Sequence, residues 1–315
     1  VPFRVSVAGA PGSKFADGRQ LYSLQSDEKS TSLDMRYDGI MSRLHGAPGY
    51  RVERDIHSGR QRLHLCISET TYSSFVRTQA LPNNPSQLGK HAFFSRLISV
   101  NLLMLDNDDR VLMVRRHRDI AHPGRYAGAV SGACELVGRG GIDADLDTNG
   151  FPDLLATCRR EAKEELGVDL DAREWALSAL GLIQVHDFRD ALTYVLVATA
   201  RSPRPVSEFR VRVGSTDDLE GTWEVDDQAL VVDLHAALSG ADSLEEFVDW
   251  LRTSEELTAH GAGSLLLQSN VYLMRRDPGL GPVLAQAAAA PLPDERPRTR
   301  PRWVTSQPLW TTDRA

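Results

Sequence analysis

Arg160-Glu161-Ala162-Lys163-Glu164-Glu165-Leu166-Gly167-Val168 is the stretch whose reading decides the fold. Leu155, Cys158, Ala162 and Leu166 recur at helical spacing, which predicts an amphipathic helix with an apolar stripe facing a core. At about 100° per residue, Glu161, Glu164 and Glu165 gather on one flank of that stripe, with Arg159, Arg160 and Lys163 toward the other. Like charges one turn apart repel by roughly 0.2–0.5 kcal/mol. An acidic arc beside a buried face is therefore costly unless a cation neutralises it, and hard divalent cations take carboxylate oxygens. Two readings stay open on the residues alone. One is a Mg²⁺ or Mn²⁺ site; the other is a solvated, salt-bridged face with Arg160 and Glu164 paired at i, i+4. Gly167 predicts the helix stop.

These nine residues resemble the second half of the Nudix box, R-E-U-x-E-E-x-G-U with U aliphatic. Ser131-Gly132-Ala133-Cys134-Glu135 is similar to the glycine-containing start of that box. Before it, Leu103 to Asp106 and Val111 to Arg116 read as two strands joined by the polar turn Asn107-Asp108-Asp109. The resemblance covers about residues 96 to 275. It implies an α/β fold, a Nudix-type α/β/α sandwich with a mixed sheet, and water attack on a diphosphate with Mg²⁺ (or Mn²⁺) as cofactor. It further implies Glu161, Glu164 and Glu165 as catalytic and metal-binding residues, with the Gly132 carbonyl completing the metal shell. The chain departs from the family at one place. An insertion, about Val137 to Pro152, splits the box, and Gly138 or Pro152 stands where its first glutamate is expected.

The bulk numbers set limits. At 315 residues the chain has room for about two domains. Its net charge of −7 lacks the basic footprint of a general nucleic-acid binder, yet leaves a single nucleotide open as substrate. Cys66, Cys134 and Cys158 are far apart and odd in number, so no disulfide framework or zinc spacing is expected. Cys66 and Cys158 read as small core residues. No apolar run approaches a membrane span, and the N-terminus lacks the signal-peptide pattern. A cytoplasmic setting is expected, with Val1 as the first residue after removal of an initiator or leader. The expected partner is a small nucleotide diphosphate, with no extended nucleic acid and no membrane; a homodimer is open to it.

Three segments are expected. Residues 1–89 form a smaller N-terminal α+β unit, residues 90–277 the Nudix-like domain, and residues 278–315 an extended or disordered Pro/Arg-rich tail. In the first, Phe3 to Val7 reads as a strand, Arg51 to Asp55 and Gln61 to Ser68 as a hairpin, and Thr70 to Thr78 as a helix. Gly9 to Lys14 reads as a Pro-Gly turn, since its spacing fails as a phosphate loop. Leu81 to Pro85 reads as a linker. In the second, Leu177 to Val185 and Leu192 to Ala200 read as strands, Trp223 to Val232 as a strand and turn segment, and Leu244 to Leu251 and Leu265 to Arg275 as helices. In the tail, Trp303 and Trp310 are candidates for pinning it to the body.

Other candidates cluster around the box. Arg116, His117 and Arg125, with His122, lie where a Nudix substrate pocket opens, and arginine there suits phosphate; strand-edge charges are the plainer alternative. Asp145 to Gly150 has the D-x-D-x-N-G spacing of a calcium loop, but Ala156 replaces its closing glutamate. A mobile solvent loop, ending at Pro152 with Asp153 capping the helix, is the simpler expectation. His186, Asp187 and Asp190 read as a polar turn, and Glu220, near Asp217 and Asp218, as a distal carboxylate. The function expected is hydrolysis of a diphosphate linkage in a nucleoside diphosphate joined to another moiety. The alternatives are a non-catalytic Nudix-fold nucleotide sensor and an isoprenoid-type isomerase using Cys134 and Glu135.

Overall fold

The computed structural model describes residues 3–7, 40–44, 50–54, 61–71, 75, 97–117, 122–137, 143–184, 193–209, 225–289 and 300–308. Gly9 to Lys14, the Leu81 to Pro85 linker, His186, Asp187, Asp190, Asp217, Asp218, Glu220 and Trp310 lie outside them. By its contacts the chain divides into two compact units, one of residues 1–100, 132–157 and 181–196, the other of residues 101–131, 158–180 and 197–315.

The first unit holds a four-stranded sheet. Its strands are β1 (Phe3–Val7), β2 (Ile40–Leu44), β3 (Tyr50–Arg54) and β4 (Gln61–Thr71). β4 is the hub: β1 runs parallel to it, while β2 and β3 are antiparallel. Two expectations are corrected here. Thr70 and Thr71 continue β4, opposite Met41 and Ile40, rather than opening a helix; β-branched side chains favour the pleated strand. Leu65 and Ile67 are buried but Cys66 is exposed, because successive strand side chains point to opposite faces.

An eight-stranded sheet follows the order β12-β11-β6-β5-β10-β9, with β7 on β6 and β8 on β5. The strands are β5 (Ile98–Leu105), β6 (Arg110–Arg116), β7 (Tyr126–Gly128), β8 (Val130–Ala133), β9 (Ala176–Gln184), β10 (Tyr194–Arg201), β11 (Val225–Asp233) and β12 (Val304–Pro308). The helices are α1 (Leu154–Leu166), α2 (Leu234–Ala237), α3 (Ala241–Thr253), α4 (Ala259–Arg276) and α5 (Gly281–Ala289). This is the α/β fold with helices and sheet that the box resemblance implies.

β5 and β6 are nearly continuous apolar runs, buried over most of their length, as expected of strands covered on both faces. Their turn is closed by Asp106, whose Oδ1 accepts from the Asp108 and Arg110 amides, both at 3.0 Å. Asp109 takes φ 60° there, a conformation that short polar side chains tolerate. Across the sheet, Asn101 of β5 donates to Ser264 of α4 at 2.6 Å and accepts from the Gly128 amide of β7 at 3.1 Å. A buried amide satisfied at both ends holds a strand, a helix and a neighbouring strand together.

The tail differs from expectation. α5 and β12 are regular elements beyond Asp277, and β12 pairs antiparallel with β11. Trp303 packs against Phe247 and Trp250, each at 5.3 Å between ring centroids. Local proline content argued against structure, but a strand edge and an aromatic pocket supply what the tail cannot build alone.

Candidate active site

The box helix α1 begins and ends as its residues dictate. Asp153 Oδ1 accepts from the Leu155 amide at 2.9 Å, satisfying one of the free N–H groups at the helix start. At the other end Gly167 adopts φ 64°. The Val168 and Gly167 amides donate to the Ala162 and Lys163 carbonyls, both at 3.0 Å. The Gly167 bond to Lys163 is an αL closure, for which a residue without Cβ is favoured.

The buried face is Leu154, Cys158, Ala162 and Leu166, while Leu155 is only half-buried. Glu165 belongs to this face too, at 4% exposure. At 100° per residue it falls about 20° from Cys158, inside the stripe rather than on its flank. Glu161 and Glu164 are less buried and share one counter-ion. Arg160 reaches Glu161 at 2.9 Å and Glu164 at 3.0 Å. The helical pair open on the residues alone is therefore present, and it also captures Glu161.

A hard divalent cation suits this donor set, which is all carboxylate oxygen. Yet among the described residues no three His, Cys, Asp or Glu side chains converge to hold an ion. Arg160 pairs with two of the three carboxylates, so these glutamates fit a metal in donor chemistry and not in their present arrangement.

Glu165 lines a small cavity together with Arg116 and Ser131. Arg116 ends β6, and its guanidinium donates to the Ser131 Oγ at 2.9 Å. The backbone beside it is fastened by the Arg116 amide, which donates to the Arg125 carbonyl at 2.8 Å. Of the residues singled out by sequence, Arg116 and Glu165 are thus brought together. His117 is half-buried just past β6, Arg125 is exposed, Gly132 sits half-buried in β8, and none of the three lines this cavity. His122 is buried with φ 57° and meets His260 edge-on at 6.2 Å between centroids. Ser131 escaped the sequence reading as a site residue; its only signal was its place next to Gly132.

In the insertion, Asp145 and Asp147 hold backbone. Asp145 Oδ2 accepts from the Glu135 amide at 2.9 Å, and Asp147 Oδ1 accepts from the Asn149 and Phe151 amides, both at 2.8 Å. The Asp147 contacts form a local turn, while Asp145 ties the end of the insertion back to Glu135. Cys134 is buried, its sulfur 3.8 Å from the Asp145 carbonyl.

Residues 95–251, about half of the chain, match the sequence profile of the NUDIX domain family. With the box helix and its sheet in place, the chain belongs to the Nudix family through this domain. Solved structures similar to it include DR0079 from Deinococcus radiodurans, at 16% identity over 55% of this chain and 81% of that one, TM-score 0.34. The MutT protein from Methanosarcina mazei Go1 is 15% identical over 57% and 95% of the two chains, TM-score 0.31. No curated protein sequence matches the chain.

Proposed function

We propose that the protein is a divalent-metal-dependent hydrolase that cleaves a diphosphate linkage in a nucleoside diphosphate joined to another moiety. The observation that carries this reading is the meeting of Glu165 with Arg116 and Ser131 around one cavity, on a helix that also presents Glu161 and Glu164. A buried carboxylate is costly unless it is paired and hydrogen-bonded or coordinates a metal. An arginine beside it suits a phosphate oxygen, which it can hold by two parallel hydrogen bonds.

In this reading Arg116 binds and orients the diphosphate, and Ser131 fixes the guanidinium. Glu161 and Glu165 would hold Mg²⁺ or Mn²⁺, with Glu164 as a further ligand or the base that takes the proton of the attacking water; the Gly132 carbonyl is assigned to the same shell. When bound, the ion supplies charge screening and a lowered water pKa. His117 and Arg125 are assigned to the outer part of the substrate site. Residues 90–277 are assigned as the hydrolase domain, and the setting as cytoplasmic.

One observation favours a second reading, a non-catalytic nucleotide sensor: Arg160 already pairs with both Glu161 and Glu164. The two are separated by incubating the protein with nucleotide sugars, dinucleotides and nucleoside triphosphates in Mg²⁺ and following mononucleotide and phosphate release. Turnover of one class supports the hydrolase. Saturable binding with no release across the whole panel leaves the sensor.

A further inference from the structure

The tail is tied to the wall of the Glu165 cavity through one arginine. Arg300, just before β12, grips the Glu256 carboxylate as a fork. Its Nε donates to Oε2 at 2.8 Å and its Nη2 to Oε1 at 2.7 Å, the bidentate geometry that a guanidinium and a carboxylate share. Its Nη1 donates to the Ser306 Oγ of β12. The centre of the guanidinium lies 5.8 Å from the centroid of the Tyr126 ring, within reach of a cation–π attraction.

Glu256 and Tyr126 also meet through the backbone. The Tyr126 amide donates to the Glu256 carbonyl at 2.6 Å, and the Thr258 amide donates to the Tyr126 carbonyl at 2.9 Å. Tyr126 thereby bridges in parallel to Leu257. α4 begins directly afterwards, and a Cβ on Gly261 would come within 2.9 Å of the Tyr126 carbonyl oxygen. Helix and strand therefore touch backbone to backbone, with no side chain between them. β7 itself is only three residues long. On one edge it pairs with β6, Tyr126 opposite Arg115 and Gly128 opposite Met113; on the other, residues 256–258 hold it at Tyr126. The next residues, Ala127, Gly128 and Ala129, line the Glu165 cavity. A strand this short has few backbone bonds of its own, and local opening is easiest where such bonds are few.

We infer that Arg300 is a positioning residue for the Glu165 cavity: by clamping Glu256 it sets residues 256–258, and through them the β7 wall of that cavity. The tail is then a strap on the site as well as a sheet edge. The route is continuous, from guanidinium to carboxylate, from the Glu256 carbonyl to the Tyr126 amide, and from Tyr126 to its cavity-lining neighbours. Energetic coupling travels through such contiguous contacts. The side chains of Arg300 and Glu256 are 34% and 39% exposed, so their pair adds little to overall stability; what it fixes is local. In this Arg300 differs from Trp303, which packs into the core. The inference rests on the hydrolase reading only for the ligand that the cavity takes, since the mechanical link is measured without one.

The test is amide hydrogen exchange on the full chain, comparing the wild type with Arg300→Gln, Arg300→Lys, Glu256→Gln and, as a control for lost surface charge, Arg302→Gln. Residues 126–128 should exchange severalfold faster in Arg300→Gln and Glu256→Gln, while β5 exchanges as in the wild type. Arg300→Lys, which keeps the charge and loses the fork, should fall between, and Arg302→Gln should match the wild type. For a nucleotide that the panel above shows to be bound or cleaved, Kd or KM should rise severalfold in Arg300→Gln at an unchanged melting midpoint. The inference is overturned if β7 exchange is unchanged, if β5 accelerates by the same factor, or if Arg300→Lys exchanges no slower than Arg300→Gln. Wild-type affinity for that nucleotide in Arg300→Gln overturns it too. A panel with neither turnover nor binding would end the hydrolase reading, and the exchange rates would still decide this one.

Discussion

Arg160 is the residue on which the chemistry of the box turns. Its guanidinium stands between Glu161 and Glu164, so any metal that takes those carboxylates must first replace it. Replacing Arg160 with Gln should lower stability without metal by about 1 kcal/mol, since a half-buried pair is lost and like charges face each other. The same change should tighten Mn²⁺ binding severalfold, because the ion no longer competes with a resident cation. Calorimetric titration with Mn²⁺ reads this directly; weaker binding would show that Arg160 holds the ligands in place instead. Glu165→Gln keeps the shape of a buried side chain and removes its charge. Once a substrate is identified, turnover should fall by orders of magnitude in this variant and in Glu161→Gln, with melting temperatures near the wild type. Wild-type rates in both would end the hydrolase assignment of the box.

Among elements, the tail strand has the clearest consequence. β12 closes the edge of the sheet on β11, and Trp303 fills a space between Phe247 and Trp250. Truncation at Asp277 should therefore lower the melting temperature markedly. Trp303→Ala alone should cost about 3–5 kcal/mol in chemical denaturation. An unchanged midpoint would show that the tail docks without supporting the core. α4 offers a pH test. Burial, and secondarily the Asp109 carboxylate, raise the Tyr272 phenol above its usual range, and His235 Nδ1 lies 2.9 Å from its oxygen. A raised folded pKa stabilises the protein below the unfolded value, near 10, and that stability is lost as pH climbs through the folded one. Denaturation midpoints should decline above about pH 10 in the wild type and more gently in Tyr272→Phe.

For the molecule as a whole, a net charge of −7 sets the expectation for partners. Counter-ion release from phosphates needs a basic surface, so duplex DNA should not bind at ~0.15 M salt, a point that a gel-shift titration decides. Among the described residues no helix is long and apolar enough to cross a membrane.

What the sequence determined by itself was local. Helix α1, its Asp153 cap and its Gly167 stop, and the strands β5, β6, β9, β10 and β11 follow from side-chain periodicity and from residues that satisfy or break a backbone pattern nearby. The family is readable for the same reason, since its box is one helix and the turn before it. Only the tertiary structure decided which charges meet. The burial of Glu165 and its company with Arg116 and Ser131 require β6 and the box helix to pack, residues far apart in the chain. Arg160 could pair along its own helix in more than one way, and its rotamer chose Glu161 and Glu164 together. The tail was misread because proline and charge describe what a segment cannot do alone, whereas a free strand edge and two waiting aromatic rings order it from outside.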